Sequence, residues 1–277
     1  MKHISNPSAP ASLMGTAVIT GASSGLGAIY ADRLAKRGYD LLLVAGRGDK
    51  LEHIAKALRA DYGIAANTLV ADLATPAGVD EVAAAIAGDD RITLLLNNAG
   101  TSTLAPLGAT TDAQIAAMNA LNADAVARLS RAVLPGFLAR DKGTLINIGS
   151  VLAFFWLPVS GVYSGTKGYV QNFTRALQDE VKGTGVVVQL VMPAVTATDI
   201  WEISGVPLSH LDPASVMTPD HCVDAALAGL DLGEAITFPS LEDSGLFAAY
   251  EAARNALFAG TQSGQPATRY TQPGQRA

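Results

Sequence analysis

Six short runs in this chain are almost wholly apolar: Thr16–Thr20 (TAVIT), Leu41–Ala45 (LLLVA), Asn67–Ala71 (NTLVA), Ile92–Leu96 (ITLLL), Thr144–Ile148 (TLINI) and Val186–Val191 (VVVQLV). A strand with one wet face alternates apolar with polar residues. These do not alternate, so both of their faces are covered, as in a parallel sheet. Between them lie Ala-rich segments with helical spacing near 25–37, 49–62, 77–87, 112–138 and 161–182. A seventh strand is expected at Ala235–Phe238, after a helix near 219–231. Strict alternation of this kind predicts βαβ units and a doubly wound α/β fold with about seven strands and helices on both faces, in three layers.

Charged residues make up 16% of the chain, well below the ~25% of an average soluble domain. Many faces must therefore be buried, in the fold or against another subunit. With 19 Lys and Arg against 25 Asp and Glu, the net charge is −6. That balance argues against a nucleic-acid partner or an anionic membrane surface. Cys222 is the one cysteine, so neither an internal disulfide nor a Cys-based zinc site is expected. His3, His53, His210 and His221 show no metal spacing. The longest strongly apolar run, Val151–Val159, holds Pro158 and falls far short of the ~20 residues of a membrane span. No apolar signal core follows the polar N-terminus, and a cytoplasmic protein is the expectation. Residues 1–12 and 260–277 are rich in Pro, Ser, Gly and Gln and read as flexible tails around one domain over 13–259.

The first strand runs straight into Thr20-Gly21-Ala22-Ser23-Ser24-Gly25-Leu26-Gly27, and a helix-compatible segment follows. Gly21 permits a tight turn, Gly25 lets the backbone approach a pyrophosphate, and Gly27 allows helix and strand to pack closely. The helix N-terminus then offers free N–H groups to an anion. With a strand before it and a helix after it, the loop marks a Rossmann-type dinucleotide site.

Further along, Tyr163 and Lys167 stand four residues apart in a helix-compatible segment, on one face. A tyrosine with a pKa of ~10 is a poor proton carrier at neutral pH. A nearby ammonium, together with the charge of an oxidised nicotinamide, favours the phenolate. Tyr163 can then give a proton to a carbonyl oxygen or take one from an alcohol, while Ser150 hydrogen-bonds and orients that oxygen.

The spacing T-G-x-x-x-G-x-G, Asn97-Asn98-Ala99-Gly100 closing the fourth strand, Asn122, Ser150, and Tyr163-Ser-Gly-Thr-Lys167 thirteen residues beyond it together resemble the short-chain dehydrogenase/reductase family of about 250 residues. The resemblance covers roughly 14–200. It implies catalysis by Asn122, Ser150, Tyr163 and Lys167, with Asn122 anchoring a water that links Lys167 to solvent. It implies cofactor contacts from Gly21, Ser23, Ser24, Gly25, Leu26, Gly27, Asp72, Leu73, Asn98, Ala99, Gly100, Tyr163, Lys167, Pro193, Thr196 and Thr198. Lys167 should also hold the nicotinamide ribose. In Pro193-Ala194-Val195-Thr196-Ala197-Thr198, Ala194 and Thr196 depart from the family's P-G-x-V-x-T.

After the second strand the chain reads Val44-Ala45-Gly46-Arg47-Gly48. No acid is present to bind a ribose 2′-hydroxyl, and Arg47 is available to a 2′-phosphate. The Arg of NADP-preferring relatives falls where this chain has Gly46, one position earlier. NADP is therefore the expected cofactor, with NAD the alternative.

Three segments should cross over the nicotinamide: Thr101–Leu104, Val151–Val159 and Asp199–Met217. Phe154, Phe155, Trp156, Leu157, Trp201, Ile203 and Leu208 make them apolar, which suits a small, mostly apolar ketone, aldehyde or secondary alcohol. The segment 112–138 is apolar around much of its circumference and wants cover on more than one side. In relatives it pairs with the catalytic helix across a two-fold axis, which implies a homodimer or homotetramer. The expected activity is hydride transfer between a nicotinamide and a carbonyl or secondary alcohol, with Tyr163 as general acid/base. The alternative is a non-catalytic dinucleotide-binding sensor or scaffold, which has no need of a tyrosine proton donor. A sugar-nucleotide epimerase is disfavoured because such relatives are longer and space their glycines differently.

Overall fold

A computed structural model describes residues 14–271. Positions 1–13, with the expected N-terminal tail and His3, and positions 272–277 of the expected C-terminal tail lie outside the described residues. The chain divides into two compact units, one ending at Ser240 and the other beginning at Leu241.

In the first unit the strands are β1 (Thr16–Thr20), β2 (Asp40–Ala45), β3 (Ala66–Val70), β4 (Ile92–Asn97), β5 (Gly143–Ile148), β6 (Val186–Val191) and β7 (Ile236–Thr237). They form one sheet in the order β3-β2-β1-β4-β5-β6-β7, with every pair parallel. The expected doubly wound architecture is present. The helices are α1 (Gly25–Lys36), α2 (Gly48–Tyr62), α3 (Pro76–Ile86), α4 (Asp112–Asn119), α5 (Ala125–Ala139), α6 (Gly161–Glu180), α7 (Ile200–Ser204) and α8 (Pro219–Asp231).

Successive strand residues point to opposite faces, and both faces are dry. Ile19, Leu43, Leu96 and Ile148 join Tyr30 and Leu34 of α1, Leu51 of α2 and Val223 of α8 in one core. Their neighbours Val18, Val44, Leu95 and Leu145 join Val79 of α3, Val133 of α5 and Leu177 of α6 in another. This two-sided burial is why the strands lack alternation. No helix among the described residues is long and apolar enough to cross a membrane.

The segment expected as one helix over 112–138 is interrupted. Residues Ala120–Asp124 form a π-helical turn between α4 and α5. The extra residue of such a turn shifts the helix face and brings Asn122 inward, where it is 1% exposed. In the second unit, α9 (Gly245–Gly260) contains no buried residue, and α10 (Thr268–Thr271) forms one turn inside the stretch expected as a tail. The sequence pattern had not marked α9. The first unit ends shortly after β7, the last strand of the sheet.

Candidate active site

β1 and β4 are neighbours in the sheet although α1, β2, α2, β3 and α3 separate them in sequence. At such a reversal of strand order the connections diverge and leave a crevice at the carboxyl ends of the strands. A cavity of about 440 Å³ opens there, lined from the glycine loop to Ser204.

At one end lies the glycine loop. Gly25 has φ +54, and a Cβ there would meet only Thr198, at 3.5 Å. A Cβ at Gly27 would lie 2.3 Å from the Gly21 carbonyl oxygen, so loop and helix pack backbone to backbone. The loop is held from below by Thr20, whose hydroxyl donates to the Leu96 carbonyl at 3.2 Å. The same oxygen accepts from the backbone N–H groups of Asn98 and Ala99, at 2.9 and 3.0 Å. Asn98, expected as a cofactor contact, lines the cavity, yet its amide donates to the Thr20 carbonyl at 2.9 Å and so holds the loop. Thr20 escaped notice because its hydroxyl acts beneath the loop, across 78 residues of sequence from Asn98.

Arg47 reaches back over this loop. Its guanidinium donates to Ser23 Oγ at 3.0 and 3.2 Å and to Ser24 Oγ at 2.7 Å. Ala45, Gly46, Asp72, Leu73, Ala99 and Gly100 continue the wall. The Asp72 carboxylate accepts from the Ala74 N–H at 3.0 Å. The open face at Gly25, the helix N-terminus behind it and the guanidinium beside it fit the phosphates of a nicotinamide dinucleotide, with Gly100, Pro193, Thr196 and Thr198 lining the path toward Tyr163. Pro193 also takes the Val151 N–H on its carbonyl at 3.0 Å, which joins the end of β6 to the turn carrying Ser150.

At the other end, Tyr163, Ser150 and Lys167 come together. The Ser150 hydroxyl beside Tyr163 pulls the tyrosine pKa down, but burial dominates and pushes it up to about 12. Ser150 Oγ accepts from the Leu152 N–H at 3.2 Å, so the serine is oriented by its own turn. Burial lowers Lys167 to about 8. Its ammonium donates to the Ile148 carbonyl at 2.9 Å and lies 5.8 Å from the centre of the Tyr163 ring. The expected fall in the tyrosine pKa is thus opposed in the cofactor-free protein, because burial outweighs the serine. Asn122 lies alongside, and its side-chain amide bonds Thr101 and Thr166.

Beyond Tyr163 the wall is mostly apolar, with Leu104, Leu152, Leu157, Ile200, Trp201 and Ile203, and one acid, Asp199. Three of the seven expected pocket residues (Leu157, Trp201 and Ile203) are present there; four are not. Phe154 packs on Phe238 with ring centres 5.7 Å apart. Phe155 and Trp156 stack on each other at the surface. Leu208 belongs to a separate 3-10 turn. Side-chain direction in irregular segments has no period, so hydrophobicity alone could not sort them. The Trp201 indole N–H donates to the Thr196 carbonyl at 2.8 Å, and the Leu104 N–H donates to the Ser204 carbonyl at 3.0 Å. These bonds tie the segment after β6 to both the cofactor wall and the loop after β4.

Fold and site together define a nucleotide-binding α/β protein with a half-buried tyrosine beside a buried lysine and serine. The chain belongs to the short-chain dehydrogenase family, whose sequence profile matches residues 15–205. Very-long-chain 3-oxoacyl-CoA reductase of Anas platyrhynchos is 36% identical over 197 residues, which is 68% of this chain and 62% of that relative. The chain thus spans just under two thirds of that relative's length. Among solved structures, a short-chain dehydrogenase from Sphingobium yanoikuyae in complex with NADPH aligns with a TM-score of 0.89 and 39% identity, over 92% of this chain and 100% of that one. The bulky-bulky ketone specific alcohol dehydrogenase from Comamonas testosteroni aligns with a TM-score of 0.84 and 33% identity, over 92% and 98%.

Proposed function

We propose that this protein is an NADP(H)-preferring oxidoreductase acting on a ketone with bulky apolar substituents, or on the matching secondary alcohol. The carrying observation is one cavity that joins Arg47, Ser23 and Ser24 at one end to Ser150, Tyr163 and Lys167 at the other. The bound cofactor supplies the hydride and, once oxidised, a positive charge. Ser150 orients the substrate oxygen. Tyr163, kept protonated by burial, gives that oxygen its proton during reduction. The Lys167 ammonium favours the phenolate left behind.

Two features support the finer reading. The Arg47 guanidinium already sits on the loop serines, where it can add a charge-assisted contact to a 2′-phosphate. The solved relative from Sphingobium yanoikuyae carries NADPH. On the substrate side, Asp199 is the charged lining residue beyond Tyr163. An acid there suits a neutral ketone better than the polyanionic carrier of an acyl-CoA, and the Comamonas testosteroni relative is specific for bulky ketones.

Titration of NADPH and NADH fluorescence, followed by a ketone panel, tests this reading. NADPH should bind more tightly, and Arg47→Ala should weaken it by roughly 10- to 100-fold while leaving NADH nearly unchanged. Tyr163→Phe should cut ketone reduction at least ~100-fold with NADPH affinity retained. Activity surviving in that variant overturns the catalytic reading in favour of a dinucleotide sensor. A homodimer or homotetramer is part of the same proposal.

A further inference from the structure

Thr166 stands between the two members of the Tyr163–Lys167 pair and is 3% exposed. Its Oγ1 donates to the Tyr163 carbonyl at 2.8 Å and accepts from Asn122 Nδ2 at 3.1 Å. Both directions are forced, since a carbonyl only accepts and an amide nitrogen only donates. The second amide proton of Asn122 goes to the Thr101 carbonyl at 2.9 Å, and Asn122 Oδ1 accepts from the Thr101 N–H at 2.9 Å. A continuous chain of bonds therefore runs from the backbone of Tyr163 through Thr166 and Asn122 to Thr101, which lines the cavity.

A threonine hydroxyl bonded to the carbonyl three residues back is an ordinary local feature. The bond from Asn122 is not local, because it arrives from the π-helical turn 44 residues away. Its position matters. Tyr163 lies in the first turn of α6, whose N-cap Ser160 makes no side-chain capping bond. First-turn residues have the fewest backbone restraints in a helix. Within that turn Ser160 Oγ pairs with Ser164 Oγ at 2.7 Å, but it is the Thr166–Asn122 bond that ties the turn to the Thr101 loop.

We propose that Thr166 is a positioning residue for hydride transfer: its hydroxyl locks the turn bearing Tyr163 to Asn122 and, through it, to the Thr101 loop. The inference rests on the proposed catalytic role of Tyr163. It is tested in the full chain with Thr166→Val, which keeps the branched shape without the hydroxyl, and Thr166→Ser, which keeps the hydroxyl. Steady-state ketone reduction, NADPH binding and thermal melting are measured for each. Valine should lower kcat roughly 3- to 10-fold, the scale of one hydrogen bond, with the NADPH Kd unchanged and a larger solvent deuterium isotope effect on kcat. Serine should restore kcat to within about twofold. A valine variant that melts earlier but keeps the parent kcat and isotope effect reduces Thr166 to packing and overturns the proposal. So does a fall in kcat that serine does not rescue. If valine does not fold, Thr166→Ala is read against the same outcomes. Failure of the catalytic reading is separate: it appears as an active Tyr163→Phe, whatever Thr166 does.

Discussion

The Lys167 ammonium donates to the Ile148 carbonyl at 2.9 Å, in a site where burial draws its pKa from 10.5 to about 8. The folded value lies below the unfolded one, so between these pH values the unfolded chain binds more protons. Stability attributable to this group is therefore lowest below pH ~8 and rises as the pH climbs toward ~10.5. Melting temperatures of the cofactor-free protein and of Lys167→Met, measured from pH 7 to 10.5, should show the parent gaining on the variant as the pH rises. A constant difference across that range contradicts the burial of a charged lysine. At this scale the sequence was highly legible wherever chemistry and neighbours are local. Gly21 to Gly27, Ser150 and Tyr163–Lys167 each sit on a single turn. Thr20 and Thr166 were not legible, because their partners come from distant strands and turns.

Among the elements, β4, β5, α5 and α6 are stitched by buried polar side chains. Asn97 Nδ2 donates to Asn147 Oδ1 at 2.9 Å and to Ser130 Oγ at 3.1 Å, and Asn147 Nδ2 donates to Thr174 Oγ1 at 2.9 Å. Such a network holds the ends of β4 and β5 in register, directly behind the loops that carry Gly100 and Ser150. Asn97→Ala leaves the buried Asn147 Oδ1 without its donor and removes one bond to Ser130 Oγ, and should cost about 1–3 kcal/mol, read as a lower urea midpoint with an unchanged slope. A midpoint equal to the parent's contradicts a connected network. Strand positions and the longer helices over 16–231 were legible from periodicity to within a few residues; the short α7 at Ile200–Ser204 was not. The π-helical turn at Ala120–Asp124 was not. The segment 112–138 has continuous helical spacing, and the bonds its Asn122 makes to Thr101 and Thr166 lie far off in sequence.

For the whole molecule, the low charged fraction has one assigned cause, the sheet covered on both faces, while exposed apolar groups point to a second. On α6, Tyr169 stacks on Phe173 with ring centres 5.9 Å apart and is 45% exposed. On α9 of the second unit, Leu246, Leu257 and Phe258 are exposed as well. Under the proposed homo-oligomer, sedimentation equilibrium at micromolar concentration should give a dimer or larger species, and Tyr169→Glu should shift it toward monomer. A parent protein that sediments as a monomer removes the proposal.

The order of apolar runs and the spacing of a few reactive residues were enough to determine a parallel α/β sheet, a dinucleotide loop and a family. Those features depend on strand burial and on turns a few residues long, which a linear pattern records directly. Tertiary structure alone decided which apolar residues line the cavity. It also decided that the Asn98 amide holds the Thr20 carbonyl and that the Asn122 amide ties Thr101 to Thr166. Each of these depends on groups far apart in sequence competing for the same hydrogen bonds and the same buried volume, and that competition is settled only when the chain has folded.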